Sequence, residues 1–480
     1  MFLLDKRINV IAKELKDLCI KQSFPILQWQ YKEGRYFRPE EADQSSVSYE
    51  NFDTKTMYWH GMDRHYWFKT TFEVPEALDG KQMWFRAGSL DGWDARNPQF
   101  VFFLNGKPIQ GMDTNHREVL ITESAKAGEA YRFDLQAWAG NVADDLHLTT
   151  SVYELDPKIA KLYYDIQVPF EAYSRMDKES RSYLSLIKGL DYTINLLDFR
   201  TPYSDAFYAS LDQALDFIEK TVYEDLAGHD EVIASCIGHT HIDVAWWWTV
   251  EQTREKVVRS FSTVLKLMDE YPDYHFMSSQ AVLYSFLKER YPDLYSQVKE
   301  RIAEKRWEPE GGMWVEADCN VTSGESLVRQ FLHGKRFFRD EFGVDNVILW
   351  LPDVFGYSGA LPQIMKKSGI DYFMTTKLAW NQLNKIPHDT FNWRGIDGSE
   401  VFTHMITTLG VGQPVENFFT TYNGELHPDA IMGGWERYQE KAINNDILIS
   451  YGFGDGGGGP TRKMLETSAR MDKGVMGIPK

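Results

Sequence analysis

From Glu231 onward, short apolar runs alternate with segments of helical periodicity, and this alternation limits the folds open to the chain. The strand-like runs include YHFMSSQ, VILWLPD and YFMTTK, and helical patterns such as TREKVVRSFSTVLKLMDEY lie between them. Strands and helices that alternate at this spacing predict βαβ units and a parallel sheet. Several polar residues follow the predicted strand ends, where such folds place their active sites: His241, Asp243, Asp353, Lys377 and Asp455.

The first third of the chain has a different pattern. A predicted amphipathic helix is followed by short strand-like runs that are separated by turn residues such as Asn105-Gly106. This spacing predicts a helix and an antiparallel, jelly-roll-like β-sandwich over residues 1–155. Helical spacing over residues 156–230 predicts a connector. The chain is therefore predicted to be multi-domain, with an α/β domain over residues 231–480 built on a parallel β-sheet or (β/α)7-like barrel.

The charge balance bears on possible partners. Seventy acidic and 52 basic side chains give a formal net charge of −18, whereas binding to nucleic acid or to an anionic membrane calls for a basic surface. A neutral substrate fits this charge better. Fifteen Trp and twenty-five Tyr fit a sugar-binding surface, although a large aromatic core would need the same residues.

Cysteine usage and hydropathy indicate the compartment. Cys19, Cys236 and Cys319 are far apart and predict neither a disulfide framework nor a Cys-rich zinc site. They favour a reducing compartment. No run reaches the roughly 18 apolar residues of a membrane span, and the N-terminal helix lacks the apolar region of a signal peptide. We therefore predict a soluble, cytoplasmic protein.

The stretch VIASCIGHTHIDVAWWW, residues 232–248, carries the first candidate site. Its apolar start predicts a strand buried on both faces, and Gly238 lets the backbone turn. Alternate residues of extended chain share one face, so His241 and Asp243 can reach one ion, at roughly 2.0 to 2.2 Å if it is zinc. His239 is a spare candidate. The alternative is a strand end whose polar residues simply meet solvent.

Two later segments combine a strand with an acidic residue. In VILWLPDVFGYSG, Asp353 follows an apolar strand and precedes Phe355 and Gly356. In ILISYGFGDGGGGPT, a strand runs into Asp455 and a glycine run. The glycines lack the Gly-Lys-Ser/Thr of a phosphate-binding loop and more plausibly let the loop approach a substrate closely.

Taken together, HTHIDVAW, the Asp-x-Phe-Gly segment and YGFGDGGGGPT resemble glycoside hydrolase family 38, the zinc-dependent retaining α-mannosidases, in its cytosolic and vacuolar branch. The resemblance implies that Asp353 is both the nucleophile and a Zn²⁺ ligand, and that His241 and Asp243 are further ligands. It also implies that Trp246 and Phe355 line the floor under the sugar. Asp455 is the candidate general acid/base.

This chemistry explains the residue types. A retaining glycosidase uses two carboxyl groups about 5 Å apart, one attacking the anomeric carbon and the other protonating the leaving oxygen. Zinc can bind the cis 2- and 3-hydroxyls of mannose. Other polar residues can line the pocket or serve structure equally well and stay outside the catalytic set: Glu316, Asp318, Lys377 and His404. Asp318 is the next candidate acid if Asp455 points away.

The resemblance further implies a chain of roughly twice this length, with an additional His ligand beyond residue 480. We therefore expect a truncated catalytic domain that hydrolyses aryl α-mannosides poorly unless it is extended. The expected partner is an oligosaccharide with α-linked mannose, and a homo-oligomer stays open. One alternative is a truncated, inactive sugar-binding or scaffolding remnant. Another is a metal-dependent polysaccharide deacetylase on a similar barrel.

Overall fold

A computed structural model of the protein describes residues 3–89, 99–141, 145–228 and 231–480. The chain forms two compact units. The sandwich unit comprises Val10–Tyr163 and Ala245–Lys266, and the α/β unit comprises Met1–Asn9, Tyr164–Val244 and Leu267–Lys480. The sequence predicts three domains, over residues 1–155, 156–230 and 231–480, whose boundaries differ from those of the two units. The three-domain division therefore stays a prediction.

The sandwich unit is built from twelve strands in the described part of residues 10–163. Two antiparallel sheets have the orders β1-β12-β6-β9 and β3-β2-β5-β10-β7-β8, and β4 pairs with β11. The strands are β1 (Ile20–Pro25), β2 (Gln28–Glu33), β3 (Glu50–Asp53), β4 (Trp59–His60), β5 (His65–Glu73), β6 (Met83–Gly88), β7 (Gln99–Leu104), β8 (Lys107–Met112), β9 (Glu118–Thr122), β10 (Ala130–Trp138), β11 (Asp145–Leu146) and β12 (Thr149–Leu155).

Aromatic side chains from both sheets fill the space between them. The ring of Phe85 in β6 lies 4.7 Å from that of Phe102 in β7 and 5.0 Å from that of Phe133 in β10, measured between centroids. All three side chains are fully buried. Because inward residues of two sheets interdigitate in a sandwich, this packing confirms the predicted antiparallel sandwich.

The sandwich unit also includes the stretch with the three tryptophans. Its residues 250–266 are helical, and this helix approaches β8 so closely that a Cβ added to Gly111 would lie 2.5 Å from the carbonyl oxygen of Arg259. Thr263 Oγ1 accepts a hydrogen bond from the Gly111 N–H at 3.2 Å. Glycine at position 111 therefore permits the contact.

Helices occupy most of residues 156–228, as their periodicity predicts. Ser180 and Ser204 cap two of them by accepting hydrogen bonds from the backbone N–H groups of Tyr183 and Phe207, a role in which serine is favoured. The helices of the whole chain are α1 (Leu4–Leu18), α2 (Pro39–Gln44), α3 (Pro157–Ala172), α4 (Arg181–Asn195), α5 (Asp205–Ile218), α6 (Val250–Glu270), α7 (Ala281–Arg290), α8 (Pro292–Ala303), α9 (Gly324–Phe342), α10 (Leu361–Lys367), α11 (Pro428–Arg437) and α12 (Arg462–Asp472).

The α/β unit has two sheets whose strands are mostly parallel. One has the order β15-β14-β13-β20 and the other β16-β17-β19-β18, in which only β18 is antiparallel. A parallel bridge between Gly311 and Leu349 follows β15 and meets β16. The strands are β13 (Ile233–His239), β14 (Phe276–Met277), β15 (Trp307–Glu308), β16 (Ile348–Leu351), β17 (Tyr372–Thr375), β18 (Thr390–Arg394), β19 (Glu400–Met405) and β20 (Asp446–Tyr451).

Strand β13 differs in burial from the prediction. We expected a strand covered on both faces, but Ile233 is 44 % exposed and Ser235 is also exposed. The reason is that the neighbouring strand β14 is only two residues long and pairs with Gly238 and His239 alone. The first half of β13 therefore has β20 as its only partner strand among the described residues.

Side chains from both sheets of the α/β unit share one apolar cluster. Met277, Trp350, Met374 and Ile406 are buried in it, and Ile237 and Leu448 pack against it. These residues come from β13, β14, β16, β17 and β20, and from the residue that follows β19. The two sheets are thereby held over a common core. Within the described ranges, no helix is both long enough and apolar enough to cross a membrane.

Candidate active site

Four polar residues converge where strands of the α/β unit end. His241 and Asp243 follow β13, Asp353 follows β16 and Asp455 follows β20. Each residue offers one nitrogen or carboxylate oxygen, and these four atoms all lie within 4.8 Å of one another. Parallel strands bring their carboxyl ends to the same edge, which is why residues 214 positions apart meet here.

His241 lies at the centre of the cluster and is buried. Its Nε2 atom is 3.4 Å from Asp243 Oδ1 and 3.3 Å from Asp353 Oδ2, while its Nδ1 atom is 2.7 Å from Glu316 Oε2. Burial alone lowers the pKa of His241, but the Glu316 carboxylate, with Asp243 and Asp353, raises it well above its usual value.

Glu316 is itself held in place on the far side of the ring. The hydroxyl of Ser279 donates to Glu316 Oε1, and the backbone N–H of Glu316 donates to Gln280 Oε1 at 3.2 Å. The Gln280 side chain also donates to the carbonyl of Ile242 at 2.9 Å. A carboxylate that accepts from one histidine nitrogen leaves the other nitrogen free to bind a metal. Glu316 thus directs His241 Nε2 toward Asp243 and Asp353.

The two oxygens of Asp353 have different neighbours. Oδ2 faces His241, and Oδ1 lies 2.8 Å from the ammonium nitrogen of Lys377. Burial raises the pKa of Asp353, but hydrogen bonds with His241 and Lys377 outweigh it and hold the pKa below the usual value. Asp353 is therefore ionised at neutral pH.

Asp455, in contrast, has a raised pKa. Its Oδ1 lies 2.8 Å from the hydroxyl of Tyr422, and its Oδ2 accepts from the side-chain amide of Asn423 at 3.2 Å. Burial raises the pKa of Asp455 and the charges of Asp243 and Asp353 add to it, against the lowering effects of His241 and Tyr422. Two carboxyl groups with pKa values pushed in opposite directions are characteristic of an acid and its ionised partner.

The backbone of the glycine-rich loop positions Asp455. Asp455 has φ +54°, a left-handed conformation that aspartate tolerates better than most residues. At the preceding residue, Gly454, an added Cβ would lie 2.2 Å from Asn423 Oδ1. The Gly454 N–H donates to that same oxygen at 3.1 Å. A side chain at Gly454 would therefore displace Asn423 from Asp455.

Aromatic rings surround the ammonium group beside Asp353. The nitrogen of Lys377 lies 3.7 Å from the ring centroid of Trp380, 4.7 Å from that of Phe355 and 5.2 Å from that of Tyr422. Phe355 is 64 % exposed and Trp380 is 44 % exposed, so both rings offer surface to a ligand. A partly exposed aromatic ring beside carboxylates suits stacking against the apolar face of a sugar.

Trp246 falls in the sandwich unit and is 61 % exposed. Its ring contacts those of Trp247 and Trp248, with centroids 5.8 and 5.7 Å away. Its assignment to the sugar floor remains a prediction.

Three residues that the sequence made candidates lie outside the cluster. His239 is buried and its Nε2 accepts from the Trp350 indole at 3.1 Å, and burial with the nearby His241 lowers its pKa to about 3. Asp318 is exposed and accepts from the backbone N–H groups of Asn320 and Val321. His404 is half-buried, and its Nδ1 atom lies 2.9 Å from Thr390 Oγ1. Each has a structural role.

Sequence reasoning missed Tyr422, Asn423, Ser279 and Gln280. Tyr422 and Asn423 lie between β19 and α11 in the segment TTYNGELHP, which has no strand or helix periodicity. Ser279 and Gln280 lie two and three residues beyond the two-residue strand β14. Their position after a strand was the one available signal, since residues at that edge are the ones that reach the site.

Two family models match the chain. Residues 231–480, more than half of the chain, match the glycosyl hydrolases family 38 N-terminal domain. Residues 24–165 match the alpha-mannosidase jelly roll domain. The second match covers β2 to β12 and the last two residues of β1, in agreement with the predicted jelly-roll-like sandwich.

Individual relatives give the same assignment. The chain is 34 % identical over 439 residues to alpha-mannosidase G of Dictyostelium discoideum, which covers 87 % of the chain and 38 % of that relative. It is 30 % identical over 437 residues to human alpha-mannosidase 2C1, covering 86 % of the chain and 39 % of that protein. With alpha-mannosidase of Saccharomyces cerevisiae the identity is 43 % over 259 residues, 53 % of the chain and 23 % of the relative.

The chain thus spans well under half of the length of these curated relatives. The resemblance of its three strand-end motifs to the mannosidases is confirmed by the family match over residues 231–480. The chain belongs to glycosyl hydrolase family 38.

Proposed function

We propose that this chain carries the catalytic site of a zinc-dependent, retaining α-mannosidase that removes terminal α-linked mannose from oligosaccharides. The observation that carries the proposal is the convergence of His241, Asp243, Asp353 and Asp455 within 4.8 Å. In that cluster, one carboxyl group has a lowered pKa and another a raised pKa. A glycosidase needs this pairing of an ionised carboxylate with a protonated one.

The donor set fits a zinc ion held by His241, Asp243 and Asp353. The distances of 3.3 and 3.4 Å from His241 Nε2 to the two aspartates match the spacing of about 3.3 Å between ligands that bind tetrahedrally at roughly 2.0 to 2.1 Å. Imidazole nitrogen favours zinc over magnesium. A zinc ion bound there supplies a Lewis acid for the sugar hydroxyls.

Asp455 is better suited to proton transfer than to metal binding. Both of its oxygens already have a partner, Tyr422 for one and Asn423 for the other. A hydroxyl both donates and accepts, so the contact with Tyr422 survives whether Asp455 is protonated or ionised. This suits a group that gives a proton in one step and takes one in the next.

The residues then have the following roles. Ionised Asp353 attacks the anomeric carbon while protonated Asp455 donates its proton to the leaving oxygen, and a mannosyl ester forms on Asp353. Ionised Asp455 next removes a proton from water, which attacks the anomeric carbon and releases mannose with its configuration retained. One carboxylate oxygen of Asp353 lies within 4.8 Å of one of Asp455, which suits the spacing of about 5 to 5.5 Å in retaining enzymes better than the roughly 6.5 to 9.5 Å of inverting ones.

The proposal extends to features around the site. Seven parallel strands in two sheets with a bridge between them support closure into a (β/α)7-like barrel. Phe355 is proposed to bind the sugar, since its ring has exposed surface beside Asp353; a role of Trp246 in sugar binding stays a separate prediction. Three cysteines without disulfide partners support a cytoplasmic location. The alternative function is that the site binds sugar without hydrolysing it.

The test of the proposed function is the hydrolysis of a chromogenic α-mannoside by residues 1–480, with zinc and after chelation, followed by proton NMR of the first-formed sugar. We expect any turnover to require zinc and to give α-mannose as the first product. A β-anomer would contradict retention. Binding of mannosides at this site without release of mannose would favour the sugar-binding alternative instead.

Replacing Glu316 by glutamine tests how the metal ligands are oriented. Glu316→Gln removes the negative charge that faces His241 Nδ1. We expect zinc affinity to fall roughly 10 to 100-fold, as for other partners that orient a metal ligand. Competition with a chromogenic chelator measures it. Glu308→Gln, at an exposed position in β15, is the matched control and should leave zinc affinity unchanged; equal affinities of the two variants would contradict the prediction.

A further inference from the structure

Lys377 is a buried cation to which the reaction steps described above assign no role. It begins a short helical turn, Lys377–Ala379, just beyond β17. Its side chain is 6 % exposed, and its ammonium nitrogen lies 2.8 Å from Asp353 Oδ1. A buried charge is costly unless it is paired. The lysine is therefore held on this oxygen of Asp353.

The surrounding rings restrict where the ammonium group can go. Trp380 and Phe355 lie 3.7 and 4.7 Å from the nitrogen, and both contacts are of the cation–π type. Trp380 is fixed in turn, because its indole N–H donates to the carbonyl of Thr420 at 2.8 Å. The lysine head is thus confined on one side of Asp353 by aromatic faces.

The two oxygens of Asp353 consequently face different groups. Its Oδ2 lies on the side of His241 Nε2 and the other donor atoms, and its Oδ1 lies on the side of Lys377. A carboxylate can bind a metal ion through one oxygen or through both. Binding through both would occupy the oxygen that has to attack the sugar.

We propose that Lys377 is a positioning residue that restricts Asp353 to a single metal-binding oxygen, Oδ2, and so reserves Oδ1 for attack on the anomeric carbon. A carboxylate oxygen that accepts one hydrogen bond keeps a second lone pair, so Oδ1 can still form the bond to carbon. This inference rests on the proposed function, since it assigns Oδ1 the attack.

The proposal predicts opposite changes in two properties. Without Lys377, Oδ1 becomes available to the ion and a positive charge beside the ion is lost, so metal binding should become tighter. Attack on the sugar should become slower, because the reserved oxygen is lost. A lysine that only stabilised the fold would weaken both properties when replaced, or change neither.

The experiment compares the full chain with Lys377→Met, Lys377→Arg and Lys366→Met. Methionine is uncharged and of similar length, arginine restores the charge, and Lys366 is an exposed lysine of α10 that serves as the control. Affinity for Zn²⁺ is measured by chelator competition and coordination by the visible absorption of bound Co²⁺. Turnover of an aryl α-mannoside gives kcat and KM, and thermal unfolding checks the fold.

For Lys377→Met we expect zinc to bind roughly tenfold more tightly, since a neighbouring positive charge is removed. The Co²⁺ absorption should weaken toward that of a higher coordination number, and kcat should fall more than KM changes. Lys377→Arg should return both values toward those of the wild type, and Lys366→Met should match the wild type.

Unchanged or weaker zinc binding by Lys377→Met, with an unchanged Co²⁺ spectrum, would overturn the proposal for Lys377 and leave the proposed function standing. If the wild-type chain binds no zinc, the proposed function fails first and this inference fails with it. If the wild type binds zinc without turnover, zinc affinity and the Co²⁺ spectrum still decide on Lys377.

Discussion

Asp353→Asn is expected to reduce turnover of an aryl α-mannoside by roughly 10⁴-fold or more, the scale of loss seen when a catalytic nucleophile is removed. The amide lacks the charge that attacks the anomeric carbon, and it is a poorer ligand than the carboxylate that faces His241. It also leaves the buried Lys377 ammonium without its ionic partner. The measurement is kcat/KM at saturating zinc.

Asp318→Asn is the control for that variant. Asp318 is an exposed aspartate that accepts two backbone hydrogen bonds and lies outside the cluster. We expect its kcat/KM to stay within a few-fold of the wild-type value, as is usual for surface changes. If Asp318→Asn were as damaging as Asp353→Asn, the assignment of the catalytic carboxyl groups would be wrong.

The Asp455→Asn variant should lose roughly 10² to 10⁴-fold in kcat/KM on substrates with a poor leaving group, the usual contribution of a positioned acid or base. A dinitrophenyl mannoside needs little protonation, so its first step should be affected much less. Added azide, which needs no base to deprotonate it, should intercept the mannosyl ester and yield α-mannosyl azide. Product analysis in the presence of azide measures this outcome.

The pH dependence of kcat/KM is a second test of the role of Asp455. Burial and the charges of Asp243 and Asp353 raise the pKa of Asp455. The proton that it donates is present below that pKa and is lost as the pH rises through it, so wild-type kcat/KM should fall on the alkaline side. The alkaline fall should be absent in Asp455→Asn, whose amide does not titrate. If Asp455→Asn kept the alkaline fall in kcat/KM, or formed no mannosyl azide, the general acid would have to be another residue.

The residues of the cluster could be predicted because each follows a strand in a recognisable local pattern. His241 and Asp243 lie after β13, and Asp353 lies two residues beyond β16. Strand–helix alternation predicts a parallel sheet, and a parallel sheet places the ends of its strands together. Local sequence was therefore enough to bring distant residues to one edge.

The surroundings of the cluster depend on contacts that local sequence does not encode. Alternation in an extended chain predicts that His239 and His241 share one face. Strand β13 ends at His239, however, and the His239 ring accepts a hydrogen bond from Trp350, 111 residues away. Tyr422 and Asn423 come from an irregular segment and reach Asp455 only through the folded chain. Their partners are set by tertiary packing, which carries no periodic signature.

The sequence also did not indicate that residues 245–266 belong to the sandwich unit. The helix that contains Arg259 has the periodicity of any α/β helix, yet residues 245–266 pack with the sandwich. The reason is the close approach of this helix to Gly111, where a side chain would collide with the backbone of Arg259. One glycine in a strand is a weak signal, because glycine in strands also marks bulges and turns.

The most direct test of the account is the zinc content and zinc affinity of the 480-residue chain, compared with those of His241→Ala and Asp243→Asn. His388→Ala, at an exposed histidine that pairs with Glu440, is the matched control. We predict one zinc ion per wild-type chain and per His388→Ala chain, with binding lost or greatly weakened in the other two variants. A wild-type chain that binds no zinc, or His241→Ala that binds it as tightly as the wild type, would contradict the account.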